Sequence, residues 1–210
     1  MLQNRVNPFG QVIRTAARGH WLGNRGLIHN ERKEVVRAFK HKAWIICLLS
    51  FKGRHRTVMS PGLWTELFFF DEATAFAAGH RPCFECRRED AVRFKRAWLK
   101  GNPAYGFDEK TRIGAIDEVL HAERVTDGGQ RLSGSGQGRP GDGRRVSDRG
   151  QRVSLAGGKA TFSEGKGTFS EELSALPNGA FIELHGEAYV VFDGLVYRWS
   201  PEGYAAGVAA

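Results

Sequence analysis

DEATAFAAGHRPCFECRREDAVRFKRAW, residues Asp71 to Trp98, joins a short helix, a two-cysteine turn and a longer helix without slack, and the rest of the chain has to be arranged around it. Asp71 reads as an N-cap whose carboxylate accepts orphan backbone N–H groups, with Glu72 beside the positive end of the dipole. Gly79 is free to take the left-handed C′ conformation, so the first helix is about two turns long. His80-Arg81-Pro82 then runs extended, because the residue before a proline is pushed out of the helical region. After Cys83-Phe84-Glu85-Cys86, apolar residues recur at Ala91, Val92, Phe94, Trp98 and Leu99, a second helical stripe ending near Lys100.

Two cysteines spaced C-x-x-C in a turn can point both sulfurs at one ion, which is half of many structural zinc sites. The same spacing at a helix start also suits a redox dithiol, and two ordinary buried thiols is the plain alternative. Metal is the leading reading, with Zn2+ as the ion.

The segment Asp71 to Arg88, with Ala78-Gly79, Arg81-Pro82-Cys83 and Cys86, resembles the second half of the zinc-binding module of the Ada DNA-repair protein and its stand-alone relatives. There an AGxRPCxxC turn supplies two of four ligands and an upstream pair completes a cysteine-rich tetrahedron. The resemblance covers some twenty of the 210 residues. In Ada itself an upstream cysteine accepts a methyl group from a DNA phosphotriester; no upstream cysteine pair exists here, so that activity is not carried over. The chain as a whole also resembles an uncharacterised bacterial protein family, which supplies kinship and no reaction. The resemblance implies that further ligands come from upstream, where Cys47, His20, His29, His41, His55 and His80 precede or abut the turn. His29 falls where an upstream ligand of that family would lie, and Cys47 sits in the apolar run AWIICLLSF, where it also reads as a small core residue. Both rank ahead of His80, whose swing Pro82 restricts.

The length suits one good core or a core with an appendage. Three cysteines argue against a disulfide scaffold and for a reducing cytoplasm. The N-terminus lacks the apolar core of a signal peptide and no apolar run approaches membrane-spanning length, so a soluble cytoplasmic protein is expected. Net charge is +8, unevenly placed: residues 1 to 60 hold twelve Lys/Arg against Glu31 and Glu34, while the last forty hold Arg198 against six acids. A polyanion, DNA or RNA, is the natural partner for the basic part.

Along the chain, Gln11 to Thr15 reads as a strand and Ala43 to Lys52 as a core strand. Gly53 then turns the chain into a returning strand over Arg54 to Met59, crowding Lys52, Arg54 and Arg56 at a tip suited to phosphate contact. Leu63 to Phe70 reads as an aromatic strand in which Glu66 must face solvent, pair with arginine or serve as an acid. Asp108 to Val125 reads as a helix with Asp117, His121 and Arg124 on one face. An Asp117-His121 pair could orient an imidazole for general-base work, with Glu66 a third acid/base candidate. Thr126 to Gly158 is rich in Gly, Ser and Arg and poor in large apolar residues, so it reads as a disordered basic stretch. GKATFSE and GKGTFSE, from Gly158 and Gly165, near-duplicate one another. Ala180 to Leu184, Glu187 to Phe192 and Leu195 to Trp199 read as three strands joined by the hairpin signals His185-Gly186 and Asp193-Gly194.

The expected fold is α+β: residues 1–125 form a small antiparallel sheet with a helix-CxxC knuckle-helix unit, 126–170 a low-complexity basic linker or insertion, and 171–210 a β-meander docking on the first domain. The expected function is a zinc-stabilised nucleic-acid-binding protein, with Cys83, Cys86, His29 and Cys47 on the metal and Lys52, Arg54, Arg56, Arg81, Arg87 and Arg88 on phosphates. The alternatives are a metal-dependent or acid/base hydrolase acting on nucleic acid or a nucleotide through Asp117, His121 and Glu66, and a protein-interaction module. No nucleophile elbow, P-loop, HExxH or dinucleotide fingerprint appears.

Overall fold

The computed structural model describes residues 1–54, 57–124, 152–155, 158–161, 176–205 and 208–209. The chain divides into two units, Met1–Arg131 and Leu132–Ala210; the described residues of the first form helices and strands and those of the second form strands. Among the described residues no helix is long and apolar enough to cross a membrane.

The first unit holds strands β1 (Gln3–Val6), β2 (Val12–Arg14), β3 (Trp21–Asn24), β4 (Ile45–Cys47), β5 (Leu67–Phe69) and β6 (Arg81–Pro82) in one sheet of order β2-β1-β5-β3-β4-β6. The sheet is mixed, which corrects the antiparallel expectation: β1 runs parallel to β5 and β4 parallel to β6. A parallel neighbour needs a long crossover, and the chain from Leu48 to His80 supplies it for β4 and β6. Pro82 has no N–H to donate, and β6 lies at the sheet's edge, where proline is tolerated.

Between β5 and β6 lies helix α1 (Glu72–Ala77). Asp71 caps it, its Oδ1 accepting from the Thr74 N–H at 2.7 Å. At the other end Gly79 has φ +88°, the Gly79 N–H donates to Phe76 O and the His80 N–H to Ala75 O, a Schellman closure that satisfies orphan carbonyls. Phe69, Leu67, Ile46, Ile28, Val6, Ala75 and Ala78 make the core between sheet and helix. Gly23 is small by necessity: a Cβ there would come 2.3 Å from the Phe69 ring.

Helix α2 (Arg88–Gly101) follows the cysteine turn, and α3 (Ile113–Ala122) packs Ile116 and Leu120 against Trp98 of α2. This helix starts five residues later than the Asp108 expected from the sequence. Asp108 Oδ1 accepts from the N–H groups of Lys110 and Thr111, a local turn that competes with helix and delays its start. The strand readings were too long for a related reason. Ladder pairing covers only Ile45–Cys47 of the apolar 43–52 run and Leu67–Phe69 of the 63–70 run, and no returning strand forms over the described residues of 54–59.

The second unit is antiparallel in every pair, in the order β12-β11-β10-β9-β7-β8 with β13 on β11. Its strands are β7 (Arg152–Leu155), β8 (Gly158–Thr161), β9 (Phe181–Leu184), β10 (Glu187–Phe192), β11 (Leu195–Ser200), β12 (Gly203–Tyr204) and β13 (Val208–Ala209). His185-Gly186 and Asp193-Gly194 both carry successive positive φ values, the conformation of two-residue hairpin turns. Strands β7 and β8 fall inside the stretch read as a linker, 126–170. Val153 and its neighbours find ladder partners on β9, a pairing that composition does not reveal. The rest of that stretch lies outside the described residues.

Arg81 and Asp117 tie β6 to α3 through a two-bonded ion pair, Nε to Oδ1 at 2.6 Å and Nη2 to Oδ2 at 2.7 Å, both side chains under a tenth exposed. Removing one partner strands a buried charge, so Asp117→Ala should lower unfolding free energy by about 3–5 kcal/mol in urea titration. A loss within about 0.5 kcal/mol, the range of ordinary surface substitutions, would show the pair to be incidental.

Candidate metal centre

Backbone register brings the third sulfur to the turn. In the parallel pairing of β4 and β6, Ile45 lies opposite Arg81 and Ile46 opposite Pro82, and the Cys83 N–H donates to Ile46 O at 3.0 Å. The next residue of β4 is Cys47, so it emerges beside Cys83 although 36 positions separate them. β3 backs this arrangement from the other side, with Leu22 paired to Cys47. The turn itself closes through the Arg87 N–H to Cys83 O at 3.0 Å and leads into α2.

Cys47, Cys83 and Cys86 therefore lie with their sulfurs all within 4.8 Å of one another, and they could hold a metal ion. A tetrahedral ion with sulfur at about 2.3 Å needs sulfurs about 3.8 Å apart, within the compass of this group. All three are free thiols, Cys83 buried and the other two half-buried. Backbone donors face them: the Glu85 N–H reaches Cys83 Sγ at 3.3 Å, the Cys86 N–H also bonds Cys83, and the Leu48 N–H bonds Cys86. Such donors stabilise sulfur in its anionic, metal-binding form.

The three thiols share their protons unequally. A hydrogen bond from Cys47 draws Cys83 down to about 5, against the effect of burial and with help from the Cys86 and Glu85 N–H groups. The same contact pushes Cys47 up, and burial pushes Cys86 up. At neutral pH one thiolate, on Cys83, is thus held by a protonated Cys47.

His29 does not belong to this group, which corrects its place among the ligands. Its Nδ1 is 2.6 Å from Thr65 Oγ1 and its Nε2 is 3.3 Å from Ser60 O, so the buried ring is occupied in holding the 60–65 segment. His80 is elsewhere too: it is buried, its Nε2 accepts from Arg25 Nε at 3.1 Å, and its ring lies edge-on to Phe69. His55 lies outside the described residues.

The acid/base candidates do not converge. Asp117 is engaged by Arg81. His121 is buried edge-on against Phe39 and Trp44, and burial, then the nearby Lys42 charge, lowers its pKa. Glu66 is buried on the approach to β5, where its Oε2 accepts from the Met59 N–H at 2.8 Å. It faces neither solvent nor, among the described residues, an arginine.

The phosphate candidates divide by burial. Lys52, Arg54 and Arg88 are exposed. Arg81 and Arg87 are buried, a correction to their reading as surface contacts: Arg87 bonds Asp90 and Glu72 and lies with its guanidinium 4.2 Å from the Trp21 ring centre. Arg56 lies outside the described residues. Arg25 is also buried, with its guanidinium 4.1 Å from the Trp44 ring centre and bonded to Gly10 O.

Uptake of a divalent ion by three thiolates must expel the protons still present. At neutral pH about two should leave per ion, from Cys47 and Cys86, since Cys83 is already ionised. Calorimetry in buffers of different ionisation enthalpy reads this number; release near zero would contradict a three-thiolate site. Affinity should rise with pH through the neutral range and fall further once Cys83 also protonates, near 5. No protein-family model, curated protein or solved structure matches the chain, so the reading of this centre rests on its own geometry.

Proposed function

We propose that the protein binds one Zn2+ through Cys47, Cys83 and Cys86, that the ion is structural, and that the chain binds nucleic acid through exposed cations around this centre. The clustering of three sulfurs, one from strand β4 and two from the turn that follows β6, is the observation that carries it. Three soft thiolates with backbone N–H donors suit Zn2+ better than a hard cation such as Mg2+ or Ca2+, which takes oxygen ligands. The ion would clamp β4 to the start of α2. It would thus link segments that the chain joins only through a long crossover, and its binding free energy would add to that of folding.

The nucleic-acid part is supported by charge. Lys52 and Arg54 lie a few residues beyond Cys47, and Arg88 two residues beyond Cys86, all three exposed. Elsewhere the N-terminal third keeps exposed Arg14, Arg18, Arg32, Arg37 and Lys40. A fixed positive surface of this kind binds phosphate with little sequence preference.

Elemental analysis of freshly purified protein should give one zinc per chain. Cys47→Ser should lose it as completely as Cys83→Ser, although Cys47 is remote from the turn in sequence. Zinc retained in Cys47→Ser would remove the three-sulfur site. In gel retardation at low salt the zinc-loaded protein should bind oligonucleotides. If Lys52, Arg54 and Arg88 are the contacts, the slope of log K against log salt on single strands should be about −2. Failure to retard any nucleic acid at low salt would end that half of the reading.

A further inference from the structure

The segment that leaves the metal centre has a construction that zinc does not require. Directly after Cys47, Leu48 and Leu49 are exposed, followed by a partly exposed Phe51. Lys52 has φ +53° and Gly53 φ +66°, and the Arg54 N–H donates to Phe51 O at 3.1 Å. Two successive left-handed residues closed by such a bond make a rigid two-residue turn. A lysine at a left-handed position costs about 1–2 kcal/mol relative to an ordinary backbone, so the tip holds Lys52 at its apex against local preference.

The turn aims two cations at one ring. Lys52 Nζ lies 5.1 Å from the centre of Phe51 and Arg54 Cζ 5.6 Å from it. Arg54 also reaches Glu85, one of the two residues between the turn cysteines, at 2.8 Å, both side chains being half exposed. The tip is therefore joined to the thiolate turn twice, through the chain at Cys47 and through Arg54 and Glu85.

Resting on the nucleic-acid reading above, we infer that Phe51 is a stacking platform for one unpaired base, with Lys52 and Arg54 meeting the adjacent phosphates. Glu85 then serves as a resident anion that holds Arg54 until a phosphate replaces it. A ring flanked by cations is how sequence-tolerant single-strand sites are built, because every base has a π face and every nucleotide a phosphate. In a duplex the bases already stack on one another and leave the ring no face to cover. An anionic bilayer would also attract cations beside Leu48 and Leu49, but a membrane-inserting tip carries its apolar residues outermost, and here the apex is Lys52-Gly53.

The test uses the full zinc-loaded chain and fluorescence anisotropy with oligonucleotides of about 15 nucleotides: oligo-dT, oligo-U, and a duplex of equal length. Anionic phosphatidylserine vesicles form a fourth arm. Either single strand should bind tighter than duplex, and comparing the two identifies DNA or RNA as the source. Phe51→Leu, which keeps apolar bulk and loses the π face, should weaken single-strand binding about 5- to 100-fold with the salt slope and zinc content unchanged. Phe51→Trp should restore it. Glu85→Gln should tighten binding more than Glu89→Gln, an exposed carboxylate in the first turn of α2 that carries the same charge change.

If the parent protein binds single strands and Phe51→Leu binds them equally well, the platform is refuted while the nucleic-acid reading stands. Preference for duplex or for vesicles also overturns it. If the parent protein binds no nucleic acid at low salt, both readings fall together.

Discussion

The parallel pairing of β4 with β6 is the constraint on which the rest of the first unit depends. A C-x-x-C turn is a local feature that many chains contain, and by itself it offers an ion two donors. Here the hydrogen bond from Cys83 N–H to Ile46 O fixes the turn against a buried strand, and the residue after Ile46 is the third cysteine. One backbone register thus converts a common dipeptide spacing into a three-sulfur centre. It also explains the need for α1. The crossover must return the chain to the same sheet edge in the same direction, and a two-turn helix closed sharply at Gly79 accomplishes this. The Cβ absent at Gly79 leaves room for Arg124, whose side chain a methyl group there would meet at 2.5 Å and whose Nη1 bonds Gly79 O.

Features governed by neighbouring residues were legible in the sequence. The Asp71 cap, the Gly79 stop and the His185-Gly186 and Asp193-Gly194 turns each depend on a few adjacent residues, and each takes the geometry its residue types favour. Cys83 and Cys86 were legible for the same reason. Cys47 was ambiguous, because a cysteine in an apolar run is equally at home in a core, and only tertiary register distinguishes the two. His29 was misplaced because an inferred position in a distant module carries no information about Thr65, the group that actually holds its ring. Strand lengths were overstated where apolar runs continue past the last ladder partner. Leu48 and Leu49 are apolar yet exposed.

Arginine was the least legible residue type. Arg25, Arg81 and Arg87 are all nearly inaccessible, and each is matched differently: Arg25 by Trp44, His80 and Gly10 O, Arg81 by Asp117, Arg87 by Glu72, Asp90 and Trp21. A guanidinium presents a flat face for rings and a fork for carboxylates, which lets it enter a core that would reject a lysine ammonium. The number of basic residues therefore overstates the positive surface, since Arg25, Arg81 and Arg87 contribute almost nothing to it. Among the described residues, exposed cations include those before Cys83, Arg88 and Arg93 of α2, and Lys110, Arg112 and Arg198.

This separation bears on how a thiolate centre could sit beside the phosphate-binding tip proposed for Lys52 and Arg54. Three thiolates holding a divalent cation would leave one net negative charge, and Glu85 adds another within the same turn. An approaching polyanion would be repelled unless that charge were dispersed. The backbone N–H groups of Leu48, Glu85 and Cys86 are directed at the sulfurs and take up part of it, and Arg54 stands against Glu85. The ion pair is half exposed, where such pairs contribute at most about 1 kcal/mol. That weakness is what an exchange of partners requires: a buried pair like Arg81 and Asp117 would be too costly to break for an incoming phosphate, whereas Arg54 can leave Glu85 at little cost while Glu85 returns to water.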